Sequence, residues 1–371
     1  MLTVALISFL SVLVIWFGYP MAIAAVAAIW KKSPGVTAPV QSSVSVIIAT
    51  VDEPAIVRAR VQDALSGEYP SELVEVVVSL DRRGSVTPEM FGEGDSRVRV
   101  VVGDSPGGKA ATLNAAVRTA RHEVLVFSDS AQRFAPDAIT RLVAALADRR
   151  LGAVSGALQI GRDGVPATLA ERYWQFEKWL REREARVHST VGVTGAVYAM
   201  RRECWHPLPA GLILDDVYTP MHLVLRGYRV GFEPMATAVD ERRFPPSQEY
   251  RRKARTLTGV VQLCVWLPGI LIPWRNPIWA QFLFHKVLRL ATPYLLLVAV
   301  VALGGWLAAG GGVGSPAVGT AILVASLSSL AVAVVVLPRV RHAVAMALAM
   351  QLAVVRATVN GLRGHWDVWN R

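Results

Sequence analysis

Residues 101–134 read VVGDSPGGKAATLNAAVRTARHEVLVFSDSAQRF, and their texture decides the fold. An apolar run, Val98–Val102, ends in the first two residues. A polar loop follows, Gly103 to Lys109, and a stretch of helical spacing covers 107–120. A second apolar run, Glu123–Phe127, then ends in Ser128-Asp129-Ser130-Ala131-Gln132. Working outward, Val44–Ala49 and Val74–Leu80 are two more runs of this kind, and 54–66 and 136–148 are two more helical stretches. Valine-rich runs alternating with helical patterns of this length predict an α/β domain, a doubly wound, Rossmann-like parallel sheet, over residues 31–256.

Ligands of such sheets bind beyond the carboxyl ends of the strands. Polar residues collect there after every run. Thr50-Val51-Asp52-Glu53-Pro54 follows the first and Asp81-Arg82-Arg83-Gly84 the second, with Asp104 to Lys109 after the third and Asp129 after the fourth. An Asp at a strand end also serves as a helix cap. Four in consecutive positions of one sheet favour a shared ligand site. Gly103 to Lys109 matches the G-x-x-x-x-G-K part of a nucleotide triphosphatase loop, but the next residue is Ala110, so the hydroxyl that binds Mg2+ is missing. Pro106 removes a further amide. No G-x-G-x-x-G follows the first run, which disfavours a dinucleotide. Lys109 at a helix start still suits a diphosphate, because helix N-termini favour anions.

With these residues in view, the chain resembles the membrane-bound family 2 glycosyltransferases. These have a GT-A fold and include processive cellulose, chitin and hyaluronan synthases and non-processive relatives. The resemblance rests on Val51-Asp52-Glu53, Asp81, the block Gly108-Lys109-Ala110-Ala111-Thr112-Leu113-Asn114, and Asp129 followed by Pro136-Asp137-Ala138. It continues through a Thr194-Gly195-Ala196 strand on the acceptor side, the acidic pair Asp215-Asp216, and a terminal Trp366 and Arg371. The resemblance implies a nucleotide-sugar donor, most often UDP-linked. Asp52, Glu53 and Asp81 would hold the nucleoside, Lys109 would lie near the nucleotide, and Asp129 would sit between nucleotide and a Mg2+ or Mn2+ ion. Asp216 would deprotonate the acceptor hydroxyl for inverting displacement, with Asp215, Thr194, Gly195 and Ala196 on the acceptor side. The bland alternative for Asp215-Asp216 is a pair at a helix N-terminus. Trp174, in an aromatic-rich helical run, is a candidate acceptor platform.

Two departures bear on this. The family's second metal-binding carboxylate is replaced by Ala131, which has no oxygen to offer a hard cation. In the Q-x-x-R-W motif Arg252 stands at the Gln position and Arg255 at the Arg, while Thr256 replaces the Trp. Gln248 to Arg252 is an out-of-register alternative. Arg252 and Arg255 remain candidates for the diphosphate, and the missing Trp weakens the case for long-chain processive synthesis. The rival functions are a processive polysaccharide synthase and a non-catalytic scaffold in envelope polysaccharide synthesis.

The composition fits a membrane protein. Of 371 residues 53% are hydrophobic and 18% charged, with mean hydropathy +0.39, oilier than a wholly soluble chain. Two cysteines exclude a disulfide scaffold, and the seven histidines show no metal-ligand spacing. Residues Met1 to Trp30 contain no charged side chain and Lys31 and Lys32 follow, which reads as a retained anchor, 1–30, with its basic end in the cytoplasm. The second charge-free run, Leu290 to Leu337, is 48 residues long and broken by glycines at 310–314. It reads as a transmembrane hairpin over 287–337. Between 257 and 286, prolines and tryptophans interleave, which suggests interfacial helices. Residues 338–371 read as an interfacial or short membrane helix and a cytosolic tail. The net charge is +11, and from Thr256 onward eight basic residues face one acidic. Most of the excess therefore flanks membrane segments, which argues for anionic lipid over nucleic acid. The expected location is the inner cell membrane, multi-pass, with the catalytic domain cytoplasmic.

Overall fold

The structure is a computed structural model and describes residues 1–30, 42–92, 94–160, 168–240, 242, 246–311 and 314–367. Lys31, Lys32 and Arg371 lie outside the described residues. The chain divides into two units. One comprises Met1–Ala22, Phe244–Gln262 and Phe282–Arg371, the other Ile23–Arg243 and Leu263–Gln281.

The second unit is built on one eight-stranded sheet. Its strands are β1 (Val44–Thr50), β2 (Val74–Leu80), β3 (Val98–Val102), β4 (Val124–Ser128), β5 (Arg133–Phe134), β6 (Leu151–Ile160), β7 (Tyr198–Arg201) and β8 (Arg229–Asp240). The order is β3-β2-β1-β4-β7-β6-β8-β5. The four strands read from sequence are neighbours and all parallel. β1 and β2 are buried almost throughout, as expected of central strands covered on both faces. The remaining half corrects the expectation of a wholly parallel sheet. β7 runs antiparallel to β4 and β6, and β5 antiparallel to β8. β6 and β8 carry small and polar residues in place of continuous Val and Ile, and β6 shifts register twice against β8. At Gly156 a Cβ would lie 2.4 Å from the Ala236 carbonyl oxygen, so the backbones approach too closely for any side chain there.

Thr194-Gly195-Ala196 is not a strand but a turn just before β7, a second correction. Side-chain bonds displace the ladder. The Thr194 N–H donates to Ser155 Oγ at 2.9 Å, the Thr194 hydroxyl to Gly156 O at 2.9 Å, and the Val197 N–H closes the turn onto Thr194 O.

The first unit is helical. Among the described residues three helices are long and apolar enough to cross a membrane: Leu2–Ile29, Trp279–Ala308 and Val344–Leu362. Leu2–Leu13 packs on Thr292–Ala308. The Trp16 indole donates to Thr292 Oγ1 at 3.0 Å, and the Arg289 guanidinium lies 4.6 Å above its ring. Leu6, Ile7, Phe17, Val300 and Val301 are each more than half exposed, an apolar surface that suits lipid. A further helix, Pro316–Val336, follows Thr292–Ala308.

Two helix boundaries differ from those expected. The segment expected to be interfacial, 257–286, is shared between the helix Pro246–Trp266 and the first turns of Trp279–Ala308, with Pro268–Leu271 a short 3-10 turn. The prolines fall between the helices, which is why Trp279 opens a new one. The expected short last helix is Pro338–Leu362, 25 residues, because its polar positions do not interrupt it. The Asn360 amide donates to the buried Thr258 hydroxyl at 3.2 Å, on the face where Ala353, Val354 and Ala357 are buried.

Candidate active site

The carboxyl ends of β1, β2 and β4 lie side by side, and Asp52, Asp81 and Asp129 follow them within two residues. Each is fixed differently. Asp81 Oδ1 accepts the N–H of Gly108 at 2.9 Å and of Arg83 at 3.0 Å, and the Arg83 guanidinium stands 3.2 Å from Oδ2. Burial disfavours the Asp81 carboxylate, but the Gly108 amide and Arg83 outweigh it and hold its pKa below the ordinary aspartate value. The Gly108 amide is thereby committed to Asp81, which agrees with rejecting a triphosphate loop.

Gly107 and Gly108 take φ of +88° and +91°, which brings the loop against Asp81 and Arg83. A Cβ at Gly107 would lie 2.7 Å from Arg83 Cγ and 2.8 Å from Asp81 Oδ1. Gly107→Ala is therefore expected to destabilise the protein by about 2 kcal/mol, from left-handed strain and overpacking together. A lowered thermal unfolding midpoint is the readout; an unchanged midpoint would contradict the crowding.

The loops after β1 and β4 are tied by a buried hydroxyl relay. The Thr50 hydroxyl donates to Ser130 Oγ at 3.2 Å, the Ser130 hydroxyl donates to Asp52 Oδ2, and Arg60 Nε donates to the Ser130 carbonyl. Glu53 is exposed at the N-terminus of the helix Pro54–Leu65.

Lys109 opens the helix Lys109–Thr119 and gathers the chemistry. Its Nζ lies 3.5 Å from Asp129 Oδ1 and 3.3 Å from Asp215 Oδ2. Burial opposes the ammonium, but Asp129, Asp215 and Asp216 together raise its pKa above the ordinary lysine value. Asp215 and Asp216 are the first residues of the helix Asp215–Leu225, where the helix dipole favours negative charge. The Asp216 carbonyl accepts the Val193 N–H at 2.8 Å. The Thr194-Gly195-Ala196 turn borders both groups: a Cβ at Gly195 would lie 3.7 Å from Asp216 Cβ and 3.7 Å from Lys109 Nζ. Tyr198 is buried and stacked on Phe127 at 4.3 Å. Burial, and then the charges of Asp215, Asp216 and Asp129, push its hydroxyl pKa well up.

Thus Asp129, Lys109, Asp215, Asp216 and the 194–196 turn come together, with Asp52 and Asp81 at the neighbouring strand ends. Trp174 is half-buried. Its indole N–H donates to Leu158 O at 2.9 Å, and the Arg181 guanidinium covers one ring face at 4.9 Å. Arg252 and Arg255 lie on the helix Pro246–Trp266 in the helical unit, where Arg252 faces Glu249 at 3.6 Å.

Several neighbours were not singled out from the sequence: Arg83, Ser130, Asp240, Arg242 and Arg181. Gln132 is buried and donates to Asp240 Oδ2 at 2.7 Å, and Arg242 forks onto the same carboxylate at 2.8 and 2.9 Å. The bonds to Asp240 raise the Arg242 pKa, and the charges of Asp240, Asp129 and Asp52 add to this. Arg83 stands two residues after a chosen Asp, and Arg181 is seven residues beyond Trp174 on the same helix face; those spacings were the available signals.

A divalent cation finds limited ligation here. Among the described residues no three His, Cys, Asp or Glu side chains form a metal cluster. Ala131 offers no oxygen, and the Ser130 hydroxyl is spent on Asp52. Asp129 remains, partly exposed, with Gln132 Oε1 a buried oxygen lacking a hydrogen-bond partner. Mg2+-type ions are often held by one or two carboxylates completed by substrate phosphates and water. The residues fit that kind of site, not an all-protein cage.

A comparison with curated proteins gives no match. Among solved structures, a mannosyltransferase from Pyrobaculum calidifontis, in complex with GDP-mannose and Mn2+, matches at TM-score 0.71 and 25% identity, over 97% of this chain and 99% of that one. A mycobacterial protein matches at TM-score 0.43 and 17% identity, over 66% of this chain and 78% of that one. The family model described as glycosyltransferase like family 2 matches residues 41–259. That span contains the whole sheet and the acidic cluster, so the chain belongs to the family 2 glycosyltransferases and its α/β unit is a GT-A glycosyltransferase domain.

Proposed function

We propose that the protein is a membrane-integrated inverting glycosyltransferase that moves one sugar from a nucleoside diphosphate donor to the hydroxyl of a glycan or lipid-linked acceptor, in envelope polysaccharide synthesis. The observation that carries this reading is the Lys109 ammonium set among Asp129, Asp215 and Asp216 at the carboxyl end of the sheet. A fixed cation there stabilises a leaving diphosphate, and a carboxylate beside it takes a proton.

In this reading Asp52, Glu53 and Asp81 hold the nucleoside and Lys109 meets the diphosphate. Asp216 accepts the acceptor's hydroxyl proton. The acceptor oxygen bonds to the anomeric carbon as the carbon–oxygen bond to the diphosphate breaks, and the electron pair leaves with the nucleoside diphosphate. The 194–196 turn and Asp215 border the acceptor side, and Arg252 and Arg255 supply further positive charge to the diphosphate. Asp129 would hold Mg2+ or Mn2+, which would neutralise diphosphate charge when bound. The family resemblance favours a UDP-linked donor, while the Pyrobaculum neighbour holds GDP-mannose.

Basic residues follow the first apolar helix at Lys31-Lys32, lie in the first three turns of Trp279–Ala308 at Lys286 and Arg289, and precede Val344–Leu362 at Arg339 and Arg341. They support a multi-pass inner-membrane arrangement with the α/β unit cytoplasmic. The test is release of nucleoside diphosphate from a panel of UDP- and GDP-sugars, with and without Mg2+ or Mn2+, beside an Asp216→Asn control. Turnover of one donor class by wild type alone is expected. Equal silence of both proteins across all donors and metals would favour the scaffold reading, and a ladder of long polymer would favour a processive synthase.

A further inference from the structure

The helix Leu169–Val187 carries a buried guanidinium with no part in the chemistry so far. Arg181 is 6% exposed. It is held over the Trp174 ring, and its Nη1 donates to Thr194 Oγ1 at 3.2 Å, while its Nε has no hydrogen-bond partner. Trp174 is itself pinned to β6 through Leu158 O. Thr194 begins the turn whose Gly195 borders Asp216 and Lys109. A rigid chain of contacts therefore runs from β6 through Trp174 and Arg181 to the wall of the acidic cluster.

Burying an arginine is costly without compensating charge. Burial lowers the Arg181 pKa, and the carboxylates that oppose this are Glu177, Asp216 and Glu184, with Tyr173 adding to them. Two of these acids lie on its own helix; the third is the residue assigned as base. The attraction is mutual, so a positive charge there favours Asp216 as the carboxylate.

We propose that Arg181, locked between Trp174 and the Thr194-Gly195-Ala196 turn, is a positioning residue that keeps Asp216 ionised and aimed at the acceptor. The proposal rests on Asp216 acting as the base. Other charged or titratable groups also face this cluster: Lys109 from its helix, Asp129 from the loop after β4, Asp215 from the same helix turn, and Tyr198 from β7. Lys109 is in direct contact with Asp129 and Asp215, and Arg181 adds a buried positive charge that interacts with Asp216.

The test is the pH profile of kcat/KM for wild type, Arg181→Gln, Arg181→Lys and Asp216→Asn. In Arg181→Gln the acidic limb should move to higher pH by about one unit and kcat fall about tenfold, with donor KM within about twofold. Arg181→Lys keeps the charge and should return the limb close to wild type. A purely structural role would lower activity without moving the limb, so an unmoved limb in Arg181→Gln overturns the proposal. A lysine variant no closer to wild type than the glutamine variant overturns it too. If Arg181→Gln does not fold, Thr194→Val removes the acceptor of the Arg181 hydrogen bond at similar volume. It should move the limb the same way by a smaller amount, and no movement overturns the proposal. An Asp216→Asn protein with wild-type activity would sink the base assignment itself. An inactive Asp216→Asn with an unmoved Arg181→Gln limb sinks only the inference about Arg181.

Discussion

Asp216→Asn is expected to slow sugar transfer about a thousandfold, roughly 4 kcal/mol of barrier, while leaving the unfolding midpoint near that of wild type. The substitution is nearly isosteric and removes the carboxylate charge and with it the capacity to take a proton. The Asp216 carbonyl accepts the Val193 N–H, and that backbone contact is untouched. Donor KM should change little, because the direct carboxylate partners of Lys109 are Asp129 and Asp215. A kcat loss with KM preserved is the signature of an interaction made in the transition state alone. A variant that retained more than about a tenth of wild-type kcat would move the base elsewhere, and Asp215 would be the next residue to substitute.

The half of the sheet that was legible in sequence is the half where sequence and burial agree. β1 to β4 are Val-rich runs in parallel register, and the polar residues after them had to face one edge. The far half was illegible for a physical reason. β6 and β8 pack through Gly156 and small residues, where close backbone approach replaces side-chain burial, so no apolar run advertises them. Asp52, Asp81, Lys109, Asp129 and Asp215-Asp216 were legible because each begins a helix or ends a strand, where chain geometry alone sets the location. Arg181 and Asp240 were not. Their importance comes from partners far away in sequence: Arg181 meets Thr194, and Asp240 meets Gln132. In the long apolar helices, counting charge-free residues located the helices but not their ends. Asn360 and Thr258 satisfy each other internally, so polar residues there do not end a helix.

The second large effect is expected at Lys109. Lys109→Met keeps length and packing but removes the charge that sits 3.3 Å from Asp215 and 3.5 Å from Asp129. Two costs follow. The leaving diphosphate loses a preorganised cation, which lowers kcat by about a hundredfold or more. The carboxylates also lose their counter-charge, and removing the cation from these partly buried pairs destabilises by about 2 kcal/mol, less than for a fully buried pair because Asp129 and Lys109 are partly solvated. The pH dependence separates this from a simple packing defect. In wild type the Lys109 pKa is raised, so its stabilisation is fully present below the ordinary lysine value and is lost only as pH climbs through the raised one, in strong alkali. The contribution of this group is therefore flat across the neutral range. In Lys109→Met the carboxylates are left facing one another, and protonating one relieves the repulsion, so the stability deficit should shrink on acidification. Unfolding midpoints of both proteins in detergent, compared across mildly acidic to neutral pH, read this directly. A deficit that is constant with pH would mean that lost packing, not lost charge, carries the effect. Lys109→Arg does not substitute for wild type in this comparison: its planar fork cannot place one compact charge between two carboxylates that approach from different elements. If the deficit shrinks with acid and the arginine variant still fails to turn over, Lys109 acts as a point charge, which is what a leaving diphosphate at a helix N-terminus requires.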